Sequence, residues 1–237
     1  MTERIMDFSG KHAVVTGGTG ALGSAVTGLL LAAGASCTVP YRHEAEAQRF
    51  VHRDRPKMKL VAAGDLADEA AVAKLYDGRP VWASIHIAGG FAPGPVTDTD
   101  KTALMAQLDG NLVSCFLCCR AAVKAIQAGG TGGRIVNVAA RPALEPRSGA
   151  GMSAYTIAKS GVAALTITLA EEVAKDGILV NAVAPSIMDT HANRATMPKA
   201  NFDLWPKVEE VAATILFLAS EDNRVTRGAV VPVYGKS

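Results

Sequence analysis

Aromatic residues are scarce, at 5% of a 237-residue chain, and no long basic run accompanies the net charge of +2. Without stacking rings or an electrostatic footprint, nucleic acid is not an expected partner. Long hydrophobic runs are missing too. No stretch of about eighteen residues is uninterruptedly apolar, and the amino end from Met1 to Gly10 has no signal-type apolar segment. The expectation is a cytoplasmic protein with no membrane partner. Cysteine is limited to Cys37, Cys115, Cys118 and Cys119, the last three inside an apolar helical pattern from Asn111 to Val123. A Cys-x-x-Cys pair can hold metal or change redox state, but no second Cys/His pair stands at ligand spacing. Packing is therefore the stronger reading, and no metal is expected.

Apolar residues are plentiful, at 49%, enough for one well-filled core, and a single domain over residues 1–237 is expected. Short β-branched runs alternate with helical patterns from start to finish, the signature of strand-helix-strand units. Strands are expected at 12–15, 36–41, 58–62, 83–87, 134–138, 179–184 and 229–233. Helices are expected at 21–33, 44–53, 69–77, 102–127 with a break, 152–176 and 208–219. Nearly continuous apolar strands suit a sheet covered on both faces. The fold class is α/β: a doubly wound, Rossmann-type parallel sheet of about seven strands with helices on both faces. Two stretches without a clear pattern interrupt this rhythm, 140–151 and 186–206. The second follows a strand's carboxyl end, where open α/β sheets bind ligands, and reads as a lid over a small-molecule substrate.

Two motifs carry chemistry. The first strand runs into Thr16-Gly-Gly-Thr-Gly-Ala-Leu-Gly23 and then a helix, so backbone N–H groups at the helix start can face a pyrophosphate that no Cβ blocks. Tyr155 and Lys159 stand four residues apart, which stacks a phenol and an ammonium on one helix face. A neighbouring cation favours the phenolate and is expected to pull the tyrosine pKa down from its ordinary value near ~10. Alone, this spacing also fits an ordinary surface pair; the glycine turn gives it a context.

Together these features resemble the short-chain dehydrogenase/reductase family over essentially the full length. The family's T-G-x-x-x-[G/A]-x-G turn is matched by Thr16, Gly17, Ala21 and Gly23, with Thr19 and Leu22 inside it; its adenine-side acid is similar to Asp65, followed by Leu66. Its helix asparagine is matched by Asn111, and its Y-x-x-x-K by Tyr155 and Lys159. The strand from Val180 to Pro185, with Ile187 and Thr190, is similar to the segment that holds the nicotinamide carboxamide. The resemblance implies hydride transfer with Tyr155 as acid/base, Lys159 lowering its pKa and binding the nicotinamide ribose, and Asn111 holding a relay water. Asn111 also reads as a helix-kink residue. Both roles stay open.

Cofactor preference can be read at the end of the second strand. Tyr41 stands where NAD-preferring members place an acid, and Arg42 follows it. A guanidinium matches a 2′-phosphate in charge and geometry, so NADP(H) is preferred, with NAD(H) as the alternative. The chain also departs from the family. The serine expected after the fifth strand is Ala139 or Ala140, leaving Ser148 and Ser153 as hydroxyls that could substitute. N-N-A-G becomes His86-Ile-Ala-Gly89, which keeps Ala88 and Gly89 for the cofactor; P-G becomes Pro185-Ser186. His86 reads as a satisfied strand-end histidine. The loop from Asp189 to Trp205 and the stretch from Ala88 to Gly94 are similar to those of dihydropteridine reductases, one branch of the family. The function implied is an NAD(P)H-dependent reductase of a small carbonyl, imine or quinonoid compound. Pteridine reduction specifically, or a catalytically silent NADP(H)-binding regulator, are the alternatives. A homodimer or homotetramer paired through the 102–127 and 152–176 helices is also implied.

Overall fold

The computed structural model describes residues 6–76 and 78–237. The first five residues of the amino-terminal reading, and Asp77 at the expected end of a helix, lie outside them. Seven strands, β1 (His12–Thr16), β2 (Ser36–Tyr41), β3 (Met58–Ala62), β4 (Ala83–His86), β5 (Gly133–Val138), β6 (Ile178–Pro185) and β7 (Val230–Val233), form one sheet in the order β3-β2-β1-β4-β5-β6-β7. Every pairing is parallel. The order reverses at β1, which pairs with β2 on one edge and β4 on the other. Crossovers therefore leave in opposite directions there and open a crevice beyond the carboxyl ends of β1 and β4.

The crossovers are α1 (Ala21–Ala32), α2 (Glu44–Arg49), α3 (Glu69–Ala73), α4 (Lys101–Leu108) continued by α5 (Ser114–Gly129), α6 (Arg141–Leu144), α7 (Ser153–Glu172), α8 (His191–Thr196) and α9 (Val208–Ala219). One core joins α1 and α9 to the sheet through Leu30, Ile215 and Leu218. The other lies beneath α5 and α7, around Ile126, Val162 and Ile178. Each such side chain contributes about 1.5–3 kcal/mol by leaving water. The run Lys101–Gly129 is long and apolar enough, by composition, to cross a membrane. Its inner face, including Cys119, Ala122 and Ile126, is instead buried in the second core.

The break expected inside that run is a π turn, Asp109–Val113. The two stretches expected to lack pattern contain short helices, α6 and α8, of four and six residues. Neither is long enough to display an amphipathic period. Local chemistry starts them: a proline at the first turn of α6, and the Thr190 hydroxyl accepting the Asn193 N–H at 3.1 Å at the head of α8.

Candidate active site

The crevice at the sheet reversal is a cleft of about 580 Å³. Its floor is the turn between β1 and α1. Gly17 sits there at φ +66°, and a Cβ on it would lie 2.7 Å from the Ala88 nitrogen. A Cβ on Gly23 would fall on the Gly17 carbonyl oxygen. Only glycine allows the turn to close this tightly. No side chain caps α1, and its first turn has no acidic residue. Its leading N–H groups and dipole therefore remain available to an anion, which is what a dinucleotide pyrophosphate requires. Thr16 lies under the turn rather than in the cleft, its hydroxyl accepting the Ala88 N–H at 3.2 Å.

Of the residues expected at a cofactor, Gly17, Thr19, Ala21, Leu22, Gly23, Tyr41, Arg42, Asp65, Leu66, Ala88 and Gly89 line the cleft, as does Asn111. Tyr155, Lys159, Pro185, Ile187 and Thr190 are not part of that lining. Pro185 is buried at the end of β6, Ile187 is exposed, and the Thr190 hydroxyl is engaged at α8; Met188 lines the cleft in their place. Sequence reading also missed the wall role of Glu46. Its Oε2 accepts from the Thr19 hydroxyl at 3.3 Å and from the Arg42 N–H at 3.4 Å. The available signal was its position in the first turn of the helix directly after β2. Arg42 itself pairs with Asp65 at 3.4 Å across a half-exposed gap, a pair too wet to fix the guanidinium firmly.

At the inner end of the cleft the π turn sets Asn111. A π turn displaces the usual helical partner of Gln107, and the Asn111 Nδ2 donates to that carbonyl at 3.0 Å. The same Nδ2 donates to Gly90 O at 3.0 Å, and Oδ1 accepts the Gly90 N–H at 3.3 Å. The kink and the anchoring of the β4 loop are thus one feature. A Cβ on Gly89 would stand 3.5 Å from Lys159 Nζ as well as against Asn111, so both side chains converge here.

Lys159 is buried and donates to the Val138 carbonyl at 2.8 Å; its Nζ lies 5.9 Å from the centre of the Tyr155 ring. Burial lowers the Lys159 pKa to about 8. Burial also raises Tyr155, to about 12. The shift runs opposite to the expected lowering by Lys159: desolvation of the phenolate outweighs a cation held toward Val138 O. Phe91 packs its edge on Tyr155, with ring centroids 5.0 Å apart. Ala139 and Ala140 are buried, and neither carries a hydroxyl. Ser148 is no substitute, since it is exposed and donates to Glu145 O at 2.8 Å as a turn former. Ser153 begins α7.

The buried charge of Lys159 has a cost with a definite pH dependence. The unfolded pKa is the ordinary 10.5. Between pH 8 and 10.5 the unfolded chain binds more protons than the folded one, so stability rises with pH; below pH 8 the full penalty applies. Lys159→Met, which keeps the stem, is expected to raise Tm at pH 7 by a few degrees and to lose that advantage by pH 10.5. A variant no more stable than wild type at pH 7 would mean that the bond to Val138 O outweighs the buried charge.

Residues 11–201 match the family model described as short chain dehydrogenase. The chain belongs to the short-chain dehydrogenase family. Galactitol 2-dehydrogenase of Rhizobium johnstonii is 35% identical, over 95% of this chain and 94% of its own. L-xylulose reductase of Bos taurus is 31% identical, over 96% of each. Among solved structures, a short-chain dehydrogenase/reductase family protein superimposes with a TM-score of 0.88 at 29% identity, covering 97% of this chain and 98% of that one. A short-chain oxidoreductase from Burkholderia thailandensis gives 0.85 at 28% identity, covering 95% and 91%. Short-chain dehydrogenases are oxidoreductases that use nicotinamide cofactors, and the uncapped helix and glycine floor of this cleft fit such a dinucleotide.

Proposed function

We propose that the chain is an NADP(H)-preferring short-chain reductase that transfers hydride to a small carbonyl, imine or quinonoid compound, with Tyr155 as the proton donor. The convergence of Lys159 and Asn111 at Gly89, beside Tyr155 and at the end of a dinucleotide-sized cleft, carries this reading. A bound nicotinamide dinucleotide supplies the hydride. A phenol pushed up to about 12 keeps its proton at neutral pH, which suits donation. Lys159, held by Val138 O, binds ribose and passes protons on; Asn111, held by the Gly90 backbone, positions a relay water. Pro185, Ile187 and Thr190 flank the nicotinamide end, and residues 186–206 form the lid of a single domain.

The alanines at 139 and 140 favour an imine or quinonoid acceptor, which builds no alkoxide needing a second donor. Phe91, exposed beside Tyr155, offers a face to a flat ring, and with the loop likeness it supports pteridine reduction. Within that loop, however, the matching residues bind each other. Asp189 pairs with Arg194 at 2.6 Å, Arg194 lies over the Phe202 ring, and Phe202 packs on Trp205. They fold the lid and say little about what lies beneath it. Titration of the full chain with NADPH and NADH, then a screen of quinonoid dihydropterin, imines, ketoses and polyols, tests the reading. Tight cofactor binding with no turnover of any compound would favour the silent regulator.

Arg42 carries the cofactor preference. Arg42→Asp is expected to lower the ratio of NADPH to NADH affinity about 10- to 100-fold, the loss of one charge-assisted contact. Glu46 supports the NAD(H) alternative, since its carboxylate already accepts hydrogen bonds beside Arg42 and would accept them from ribose hydroxyls. An unchanged ratio in Arg42→Asp selects that alternative. Exposed Phe116, Ile157 and Ile167 on α5 and α7 give a homodimer or homotetramer its apolar contact. The working environment is the cytoplasm.

A further inference from the structure

We propose that His86, Cys115 and Cys119 form a buried zinc site behind the active site. The three come from two elements the sequence keeps apart, the end of β4 and the inner face of α5. Nδ1 or Nε2 of the histidine and the two sulfurs all lie within 4.8 Å of one another, and all three residues are buried. Cys115 and Cys119 are four apart, so one helix face presents both thiols to a single point. Zinc–sulfur and zinc–nitrogen bonds of about 2.3 and 2.0–2.1 Å place tetrahedral neighbours about 3.4–3.8 Å apart. Cys119 Sγ and His86 Nδ1 already stand 3.4 Å apart.

Asn137 Oδ1 is approached by Cys115 Sγ at 3.3 Å, Cys119 Sγ at 3.4 Å and His86 Nδ1 at 2.8 Å. The Asn137 side-chain oxygen thus faces the same point as the three ligand atoms. Exchanging the two thiol protons, released to solvent, for one divalent ion leaves Asn137 Oδ1 as the fourth neighbour. Two thiolates and Zn²⁺ sum to zero charge, which a site this deeply buried requires; a monovalent ion would leave a net negative charge.

The outer contacts are those of a ligating histidine. With Nδ1 on the ion, Nε2–H points to Ser84 Oγ at 2.8 Å, which in turn meets the Tyr76 hydroxyl at 2.8 Å. Ser114, next in the chain to Cys115, lines the cofactor cleft directly after the π turn.

The untagged full chain, stripped with a chelator, is titrated with Co²⁺ and then Zn²⁺. Expected are one Co²⁺ per chain, a thiolate-to-cobalt charge-transfer band displaced by Zn²⁺, and a Tm that rises with either ion. Cys119→Ala should lose the band and weaken binding beyond the roughly 100-fold that outer-contact changes cost. Cys37→Ala, in β2, should keep both. Absence of the cobalt band in the wild-type chain overturns the site, whether or not the variants fold. So does an undiminished band in Cys119→Ala, or uptake of copper(I) with no uptake of cobalt or zinc.

Discussion

Tyr155→Phe is expected to lower kcat/KM about 10²- to 10⁴-fold on the best compound from the screen, the usual contribution of a positioned acid or base. The ring stays, so the edge contact with Phe91 and the packing of α7 are kept; only the hydroxyl goes. Cofactor affinity should change far less than turnover. Steady-state kinetics paired with a cofactor titration separate the two effects. A kcat/KM within a few-fold of wild type would remove Tyr155 from the chemistry, and with it the proposed reductase mechanism. Burial pushes the wild-type Tyr155 phenol up to about 12, so at neutral pH it carries the proton whose loss this variant tests.

Gly23→Ala should disable cofactor binding and destabilise the fold together. The added Cβ meets the Gly17 carbonyl oxygen and comes within 2.6 Å of Gly18 Cα, both backbone atoms that cannot rotate away. Overpacking of this kind costs about 1–3 kcal/mol, several degrees of Tm in a chain this size. The turn that presents the first N–H groups of α1 must also shift. Gly20→Ala is the control: its Cβ would lie 3.4 Å from the Gly17 oxygen, an ordinary contact, and stability should stay within about 0.5 kcal/mol. Thermal melts of both variants, with and without NADPH, check this. Equal melting temperatures for Gly20→Ala and Gly23→Ala would mean the turn is looser than its geometry implies.

Much of the fold was legible because hydrophobic period is a local property. The β2 and β3 boundaries and the α9 boundaries coincide with those read from the apolar runs alone, and the other strands differ by one or two residues. The helices α6 and α8 were not legible, since four to six residues set by a proline or a threonine cap carry no period. At the site, the glycine turn, Asn111, Tyr155 and Lys159 stood out by spacing. Glu46 did not, because its role depends on α2 turning back over the Thr19 loop, and Phe91 did not, because nothing local says which ring it will meet.

The sequence by itself determined the alternation of strands and helices, the anion-binding turn and the phenol–ammonium pair, all of which rest on residues within a few positions of one another. Tertiary structure alone decided the sign of the tyrosine shift, the partners of Arg42 and the meeting of His86 with Cys115 and Cys119. The physical reason is that desolvation and charge pairing depend on what the fold brings within a few ångströms, and chain spacing does not encode that distance.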